Sequence, residues 1–327
     1  MQARTLVYVK FLFAAFSLVV LFHFVPLGET VAALRDLDPV WFAIAVITQF
    51  VMRAVGTLRM QVVAANQGIT LSLPQLYRLL LTVHFYSVLL PGPLVGGGAS
   101  WIKYKQHGAS SHAAAATVLI NRAVGIGMKI TLGVCAWLLD QISGTPIFSF
   151  ACVLAVLFMF ALAVLTPPPH GVEQRPAGDS RLGRFVHEMF RRVILFGRIP
   201  RFGKFVILTS ALVQELLGTF LILGFGIAVG ADVDFLKVLW IRAALSMFLL
   251  LPVTVAGIGV REASLVGLGA LIGLDSVTSV AWSFAILAGT LIVAAVGGLV
   301  EAAATTDRMA RHLEDRRSQD ATKRGEA

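Results

Sequence analysis

Long apolar runs, separated by short polar segments, make up most of the chain. A helix needs about 20 apolar residues to cross the roughly 30 Å hydrocarbon core of a bilayer. Eight runs approach that length: 11–27, 40–60, 76–90, 113–139, 146–166, 205–229, 236–251 and 279–304. They are continuous, whereas the strands of a membrane β-barrel alternate between apolar and polar residues. With two shorter glycine-rich stretches, at 92–104 and 253–273, they predict an all-α polytopic membrane protein with about eight full spans and two broken or re-entrant helical segments.

The composition indicates that the bilayer is the solvent of this chain. Of the 327 residues, 57% are hydrophobic and 14% are charged, against about 25% charged in an ordinary soluble domain. A soluble fold could not bury that much apolar surface, so soluble globular and disordered proteins are excluded. The net charge of +9 then indicates loops that face anionic lipid headgroups rather than a nucleic acid partner. Cys135 and Cys152 lie in apolar runs without a CxxC or CxxH neighbour, which is typical of core residues.

A polar segment at 167–204 divides the chain into two parts. It contains eight basic and three acidic residues, so the positive-inside rule places it in the cytoplasm. Apolar residues recur there at spacings of three and four between Leu182 and Val193, which indicates an amphipathic helix on the inner leaflet, with a solvated linker as the alternative. We expect one transmembrane domain over 1–304, with half-repeats of about 1–145 and 167–304, and a cytoplasmic tail over 305–327.

Two segments, one in each part, share the pattern L-L-P-x-x-x-x-G-x-G. They begin at Leu89 and Leu250, close to half the length of the chain apart. Proline removes a backbone donor and glycine loosens a helix, and a membrane tolerates such breaks only where protein or a water-filled cavity surrounds them. Glycines that allow close packing are the alternative, but matching breaks in two halves are typical of a transporter site. The predicted hinge residues are Pro91, Gly96, Gly97, Gly98, Pro252, Gly257 and Gly259.

The distribution of Lys and Arg predicts the topology. With the N-terminus inside and the two glycine-rich stretches as short broken spans, residues 67–75, 103–112 and 167–204 and the tail all fall on the cytoplasmic side. The L-L-P segments then lie on opposite sides of the membrane, so the repeats are predicted to be inverted. The same topology places positions 107 and 275 on opposite faces.

Ionisable residues within a span are costly, so each one is a site candidate. Arginine suits phosphate because its planar fork donates two parallel hydrogen bonds. One hypothesis is therefore that cations line a central cavity and bind a phosphate, balanced by carboxylates. The alternative is that Glu215 pairs with an arginine only to make its burial tolerable, while other charges extend to the interface. The candidates are Arg122, Arg261, Glu262, Lys103 and Glu215, with Lys129 inside the fourth run and Arg53, His84 and Arg242 closer to helix ends.

Other patterns bear on alternative functions. The acids of Asp36-Leu37-Asp38 and Asp232-Val233-Asp234 spell DxD, a metal–nucleotide-sugar pattern that would favour a polyprenol-dependent membrane glycosyltransferase. The loops that carry them are too short for a donor site. Walker A, GxSxG and kinase signatures are absent from the sequence, so we expect no enzyme activity, no cofactor and no metal. A non-transporting partner of an envelope-lipid synthesis complex is the other alternative.

Several of these segments together resemble a known family. The membrane domain of lysylphosphatidylglycerol synthase, whose relatives are called flippase-like membrane proteins, is similar over about residues 10–304. The resemblance implies a bacterial inner-membrane protein that moves, or helps to deploy, a phospholipid or a polyprenyl-linked lipid between leaflets, and it adds Trp101 to the headgroup-binding residues. The cytoplasmic side of both termini follows from the distribution of Lys and Arg given above. The segments that carry it are Pro91-Gly92, Gly96-Gly97, Trp101-Ile102-Lys103, Asn121-Arg122 and Gly257-Ile258-Gly259-Val260-Arg261-Glu262.

Two departures from the family pattern bear on the cargo. Gly98, Ala99 and Ser100 stand where many relatives carry an acidic residue and an arginine, and Asn121 stands where many carry glutamate. Both changes remove negative charge, which favours an anionic headgroup over a cationic, aminoacylated one. We also expect no synthase activity. The leading hypothesis is a flippase-like protein that translocates an anionic or polyprenyl-linked lipid.

Overall fold

The computed structural model describes residues 27–89, 95–141, 188–189, 192, 199–249 and 259–325. Within these residues the chain is helical, with no strand. Asp38 and Asp234 begin two of the helices by accepting hydrogen bonds from backbone N–H groups of the first turn, as N-cap residues do. The described helices are α1 Leu27–Arg35, α2 Pro39–Asn66, α3 Leu73–Leu89, α4 Val95–Gln106, α5 Ser111–Gln141, α6 Arg201–Ala228, α7 Phe235–Phe248, α8 Val260–Ala270 and α9 Ser276–Gly325.

Four of the described helices are long and apolar enough to cross a membrane. They are α2, α5, α6 and the part of α9 over Ser276–Thr306. The predicted spans at 76–90 and 236–251 correspond to α3 and α7, which have only 17 and 14 residues, and the runs at 11–26 and 146–166 lie outside the described residues. The prediction of about eight full spans is therefore not confirmed. Beyond its span, α9 continues as a helix to Gly325.

Helices α2 and α6 form an antiparallel pair at the centre of the structure. At one end the Asp38 N–H donates to the Ala228 carbonyl over 2.8 Å, and at the other end Gly203 lies against Val62. Between these points, a Cβ on Gly56 would be only 2.7 Å from the amide nitrogen of Gln214. Glycine at this position leaves room for the Gln214 side chain between the two helices.

The helices before and after the linker have the same order of lengths. Helices α2, α3, α4 and α5 have 28, 17, 12 and 31 residues, whereas α6, α7, α8 and the span of α9 have 28, 14, 11 and 31. The contacts match as well, since α3 packs on α9 as α7 packs on α5, and α4 packs on α5 as α8 packs on α9. Each half thus contains one long helix, two short helices and a second long helix.

The turns define which residues of the halves are equivalent. Gly68 after α2 and Gly230 after α6 both have a φ of 78°, while Gly108 after α4 and Gly273 after α8 have φ values of 85° and 86°. Gly108 and Gly273 are separated by more residues than Gly68 and Gly230 are. The difference is nearly the number of residues in one helical turn. The number of residues between equivalent positions of the two halves therefore changes between α3 and α4 in one half and between α7 and α8 in the other. The connecting residues, 90–94 and 250–258, lie outside the described residues. The spacing of the two L-L-P segments is not the spacing of the helices that follow them.

Helices α4 and α8 terminate at opposite ends of the α2–α6 pair. Tyr104 of α4 packs in one cluster with Ile69 and Leu71, beyond the end of α2. Leu274 after α8 packs in another cluster with Leu37, before the start of α2. The loops that contain residues 107 and 275 thus lie at opposite ends of the pair, the arrangement that the predicted topology requires. The Gln67 side chain also donates to the Arg192 carbonyl over 3.1 Å, which places this part of the linker at the same end as residue 107.

Candidate functional site

A buried ion pair lies at mid-depth in the helix bundle. Glu215 is at the centre of the 28-residue helix α6, so it is about 20 Å from either end at 1.5 Å per residue. Its carboxylate pairs with the guanidinium of Arg242, and the side chains are only 8% and 13% exposed. Arg242 also donates to the Glu215 carbonyl oxygen over 3.3 Å. The sequence placed Arg242 near a helix end, but it lies at the middle of the short helix α7.

Two more cations surround this pair. Lys129 on α5 is close enough to interact electrostatically with Glu215, Arg242 and Arg59. Arg59 on α2 is buried, and its Nε donates to the Asn121 side-chain oxygen over 3.3 Å. We call Arg59, Lys129, Glu215 and Arg242 the central cluster. It groups three cations with one carboxylate, so within the described part of the chain it leaves two positive charges at bilayer depth.

A glycine on α6 makes room for the ion pair. A Cβ at Gly218 would overlap the guanidinium of Arg242. Gly218 lies three residues after Glu215, on the same face of α6, because residues three and four apart are neighbours on a helix. Glycine at this position leaves room for the Arg242 guanidinium next to α6, where it reaches the carboxylate.

Arg122 lies on α5 beside the start of α4. Its Nη1 would be 3.7 Å from a Cβ on Gly97, and Val118 would be 3.5 Å from the same point. Arg122 and Lys129 are seven residues apart, which is two helical turns or about 10 Å along the same face. The predicted headgroup-binding residue Arg122 therefore lies near the central cluster, on a helix that the cluster shares.

Glu262 has a different role in the geometry. Its Oε2 accepts a hydrogen bond of 2.6 Å from the N–H of Gly259, and its Oε1 accepts one of 3.0 Å from the Ser283 hydroxyl. The side chain is fully buried and caps the first turn of α8, while Gly259 has the positive φ of 86° that favours glycine. Arg261, the next predicted binding residue, is buried on the same short helix.

Lys103 forms a salt bridge with Glu301, a carboxylate that the sequence analysis did not include among the candidates. Its Nζ lies 2.5 and 2.7 Å from the two carboxylate oxygens of Glu301 on α9, and the Tyr86 hydroxyl donates to Glu301 over 3.4 Å. These residues line a cavity of about 380 Å³. Trp101 turns away from it and donates to the Ser111 carbonyl over 3.0 Å. Lys103 and Trp101 therefore belong to a second location, towards the end of α4.

The structure thus distributes the predicted site residues over separate places. Glu215 lies in the central cluster and Arg122 is near it, whereas Lys103 pairs with Glu301 and Glu262 caps α8. Of the hinge residues, Gly96, Gly97 and Gly98 lie in the first turn of α4, and Pro91, Pro252 and Gly257 lie outside the described residues. Arg59 and Glu301 were not predicted, although both are ionisable residues inside apolar runs and that signal would have found them.

The DxD acids have structural roles at two positions. Asp38 accepts a hydrogen bond of 2.8 Å from the Val40 N–H at the start of α2. Asp234 accepts one of 2.9 Å from the Lys237 N–H at the start of α7. Helix capping explains one acid of each motif without a metal or a nucleotide sugar.

The sequence matches the family described as lysylphosphatidylglycerol synthase TM region over residues 7–298. The chain belongs to this family. In this member of the lysylphosphatidylglycerol synthase TM family, the match spans the central cluster and the four short helices α3, α4, α7 and α8. With its long apolar helices, the protein is a multi-pass integral membrane protein. A comparison with curated proteins gives no significant match.

Proposed function

We propose that this protein binds the phosphate of an anionic or polyprenyl-linked lipid at the central cluster and carries it across the bacterial inner membrane. The observation that carries the proposal is the surplus of cations around Glu215. A cation at the bilayer centre costs about 2.5–3.5 kcal/mol on insertion scales, so two positive charges in excess of the carboxylate favour an anionic ligand. Arginine and lysine both bind phosphate, and arginine does so with two parallel hydrogen bonds.

An apolar groove beside the cluster supports a lipid rather than a soluble anion. The groove lies between α5 and α7, has a volume of about 320 Å³, and includes Ile130 and Ala243. These residues directly follow Lys129 and Arg242 of the central cluster. A phosphate at the cluster could therefore keep its hydrocarbon chain in the groove and in the surrounding bilayer.

The matching halves support a mechanism of alternating access. We infer that α2–α5 and α6–α9 are inverted repeats, because the equivalent helices α2 and α6 run antiparallel. In transporters of this design, one repeat rocks against the other around a site at their interface. The central cluster fits that place, since it takes residues from α2 and α5 of one half and from α6 and α7 of the other. In this proposal both termini lie in the cytoplasm and the protein carries out no covalent chemistry.

Reconstitution in liposomes tests the proposal. Fluorescent phosphatidylglycerol and phosphatidylcholine with the same chains would be followed from the inner to the outer leaflet by reduction of the exposed fluorophore. The wild-type protein should move phosphatidylglycerol, and Lys129→Gln should slow this at least about tenfold, because the site loses one of its cations. Lys105→Gln is the matched control, since Lys105 is exposed and lies over the Trp101 ring, 4.8 Å from its centroid. Equal rates for the wild type and Lys129→Gln would refute the site, and no transport at all would favour a non-transporting partner.

A further inference from the structure

A cavity lies beside the salt bridge of Lys103 and Glu301, apart from the central cluster. Its volume of about 380 Å³ is at the small end of the range of about 300–1,000 Å³ for ligand sites. It therefore suits a headgroup rather than a whole lipid. The described residues that line it are Tyr86 of α3, Gly98, Ala99, Ile102, Lys103 and Gln106 of α4, and Glu301 of α9.

Small residues of α4 keep this space open. The lining residues of α4 recur at spacings of three and four, so they share one face of the helix. A Cβ on Gly98 would meet nothing within 4 Å, and the neighbouring Ala99 has only a methyl group. The salt bridge therefore borders an open volume, although its two side chains are only 8% and 17% exposed.

The lining combines one cation with one carboxylate. The Lys103 ammonium lies 2.5 and 2.7 Å from the two carboxylate oxygens of Glu301, so the described lining has no net charge. A charged group in a poorly solvated place needs an opposite charge nearby. A ligand with a net charge would lack that compensation here, whereas a ligand with one positive and one negative group would be balanced. The cavity thus suits a zwitterion, in contrast to the cation-rich central cluster.

Both charged side chains can bind a ligand while their salt bridge stays intact. An ammonium has three N–H groups, and the contacts with Glu301 use at most two of them. A carboxylate accepts about four hydrogen bonds, and Glu301 accepts from Lys103 at both oxygens and from the Tyr86 hydroxyl over 3.4 Å. Among the residues that the structure describes, neither side chain has a further hydrogen-bond partner. One donor of the lysine and one acceptor of the glutamate therefore remain for a ligand.

The depth of the cavity relates it to the membrane surface. Lys103 lies in the last turn of α4, and the distribution of Lys and Arg predicts that the loop after this helix is cytoplasmic. In that topology the cavity lies near the headgroups of the inner leaflet. Ile102 in its wall is 50% exposed, as expected for a residue in contact with lipid chains. A lipid could thus place its headgroup in the cavity and keep its chains in the bilayer.

We propose that this cavity binds a phosphoethanolamine group, with its phosphate at the Lys103 ammonium and its primary ammonium at the Glu301 carboxylate. Both contacts are charge-assisted hydrogen bonds. A primary ammonium suits Glu301 because it has N–H groups to donate, which the quaternary ammonium of a choline headgroup lacks. This inference does not rest on the proposed function, since it uses no residue of the central cluster.

Native mass spectrometry of the full chain in detergent tests the proposal, with phosphatidylethanolamine and phosphatidylcholine of the same chains. Glu301→Gln keeps the shape of the side chain and removes the charge that the ammonium needs. Gly98→Leu fills the cavity and leaves both charged residues in place, so it remains informative if Glu301→Gln does not fold. Gly267→Leu is the matched control, because Gly267 also has nothing within 4 Å of a Cβ but lies on α8, outside the cavity.

The wild type and Gly267→Leu should bind phosphatidylethanolamine more tightly than phosphatidylcholine by about tenfold or more, which corresponds to about 1.4 kcal/mol or more. Glu301→Gln and Gly98→Leu should lose most of that preference. Competition by soluble phosphoethanolamine would assign the cavity to this group in any molecule, and no competition would assign it to the lipid. Equal binding of the two lipids by the wild type would refute the proposal, as would a preference that survives in Gly98→Leu.

Discussion

The ion pair between Glu215 and Arg242 leads to a quantitative prediction. Glu215→Gln keeps the shape of the side chain and removes the one carboxylate of the central cluster. Arg242, Lys129 and Arg59 then stay together at mid-depth with no negative charge among them. We expect this variant to be strongly destabilised, although it removes only one charge and no volume.

The magnitude follows from the burial of the pair. The two side chains are 8% and 13% exposed, so solvent screens their interaction weakly. Removal of one partner of a buried ion pair costs about 3–5 kcal/mol, because it leaves an uncompensated charge. We expect about 3 kcal/mol here, since the unfolded chain in micelles also finds polar partners. The double variant Glu215→Gln/Arg242→Gln should be less destabilised than Glu215→Gln, since it also removes the Arg242 charge that the single variant leaves without its carboxylate.

The assay is reversible unfolding in mixed micelles, in which added SDS is titrated against the helical signal. The wild type, the two single variants and the double variant form a cycle, and we expect a coupling energy of about 2–3 kcal/mol. Phosphatidylglycerol should also stabilise Glu215→Gln more than the wild type, because a bound phosphate would replace the missing carboxylate. A ligand at 100 times its Kd contributes about 2.7 kcal/mol.

Additive effects of the two substitutions, each below about 0.5 kcal/mol, would contradict this account. They would mean that Glu215 and Arg242 are solvated or do not interact in the membrane. An equal response of the wild type and Glu215→Gln to phosphatidylglycerol would separately contradict the idea that the cluster attracts a phosphate. Leu216→Ala, at a lipid-facing position 38% exposed on α6, provides the control for unspecific loss of helix packing.

Three further predictions concern packing, topology and pH. Gly297→Ala should destabilise by about 3 kcal/mol in the SDS titration because its Cβ would overlap the Leu81 carbonyl, whereas Gly127→Ala, with nothing within 4 Å of its Cβ, should stabilise by about 0.5–1 kcal/mol. Cysteines at His107 and Asp275 should react with impermeant reagents from opposite sides of the membrane, and labelling from one side would refute the fold. Hydrogen bonds from Thr278 lower the pKa of Asp275 below its ordinary value, so its stabilising effect is present above that ordinary value and is lost as the pH falls through the lowered one. Asp275→Ala should therefore cost about 1 kcal/mol at pH 7, and the difference in unfolding free energy should vanish in acid.

Much of the fold could be predicted from local pattern alone. The long apolar runs predicted α2, α5, α6 and the span of α9. Each such helix forms its backbone hydrogen bonds within itself, so its apolar side chains need only the lipid around them. The positions of the short helices also follow from sequence, since proline and glycine disfavour a continuous helix there. The lengths of α3 and α7 did not follow, because an apolar run does not distinguish a full span from a shorter helix within the protein.

The register of the halves required the structure. The L-L-P segments suggested that Leu89 and Leu250 are equivalent, but the turn glycines Gly108 and Gly273, after α4 and α8, are farther apart in the chain by about one helical turn. A shift of one turn leaves a similar face exposed, so a short motif can match in the wrong register. As a result, Gly97 rather than Trp101 is the counterpart of Glu262, since each is the third residue of its short helix, α4 or α8.

The sequence by itself determined that this is an all-α membrane protein of the lysylphosphatidylglycerol synthase TM family, with ionisable residues inside its spans. It could do so because hydropathy and helix breaking are properties of a single segment. Only the tertiary structure decided the partners of the buried cations: Arg242 pairs with Glu215 across 27 residues, Arg59 donates to the Asn121 amide oxygen across 62, and Lys103 pairs with Glu301 across 198. Helix packing determines these partners. A charged side chain in a low-dielectric interior pairs with a polar or charged group on a neighbouring helix, and that group can be distant in the chain.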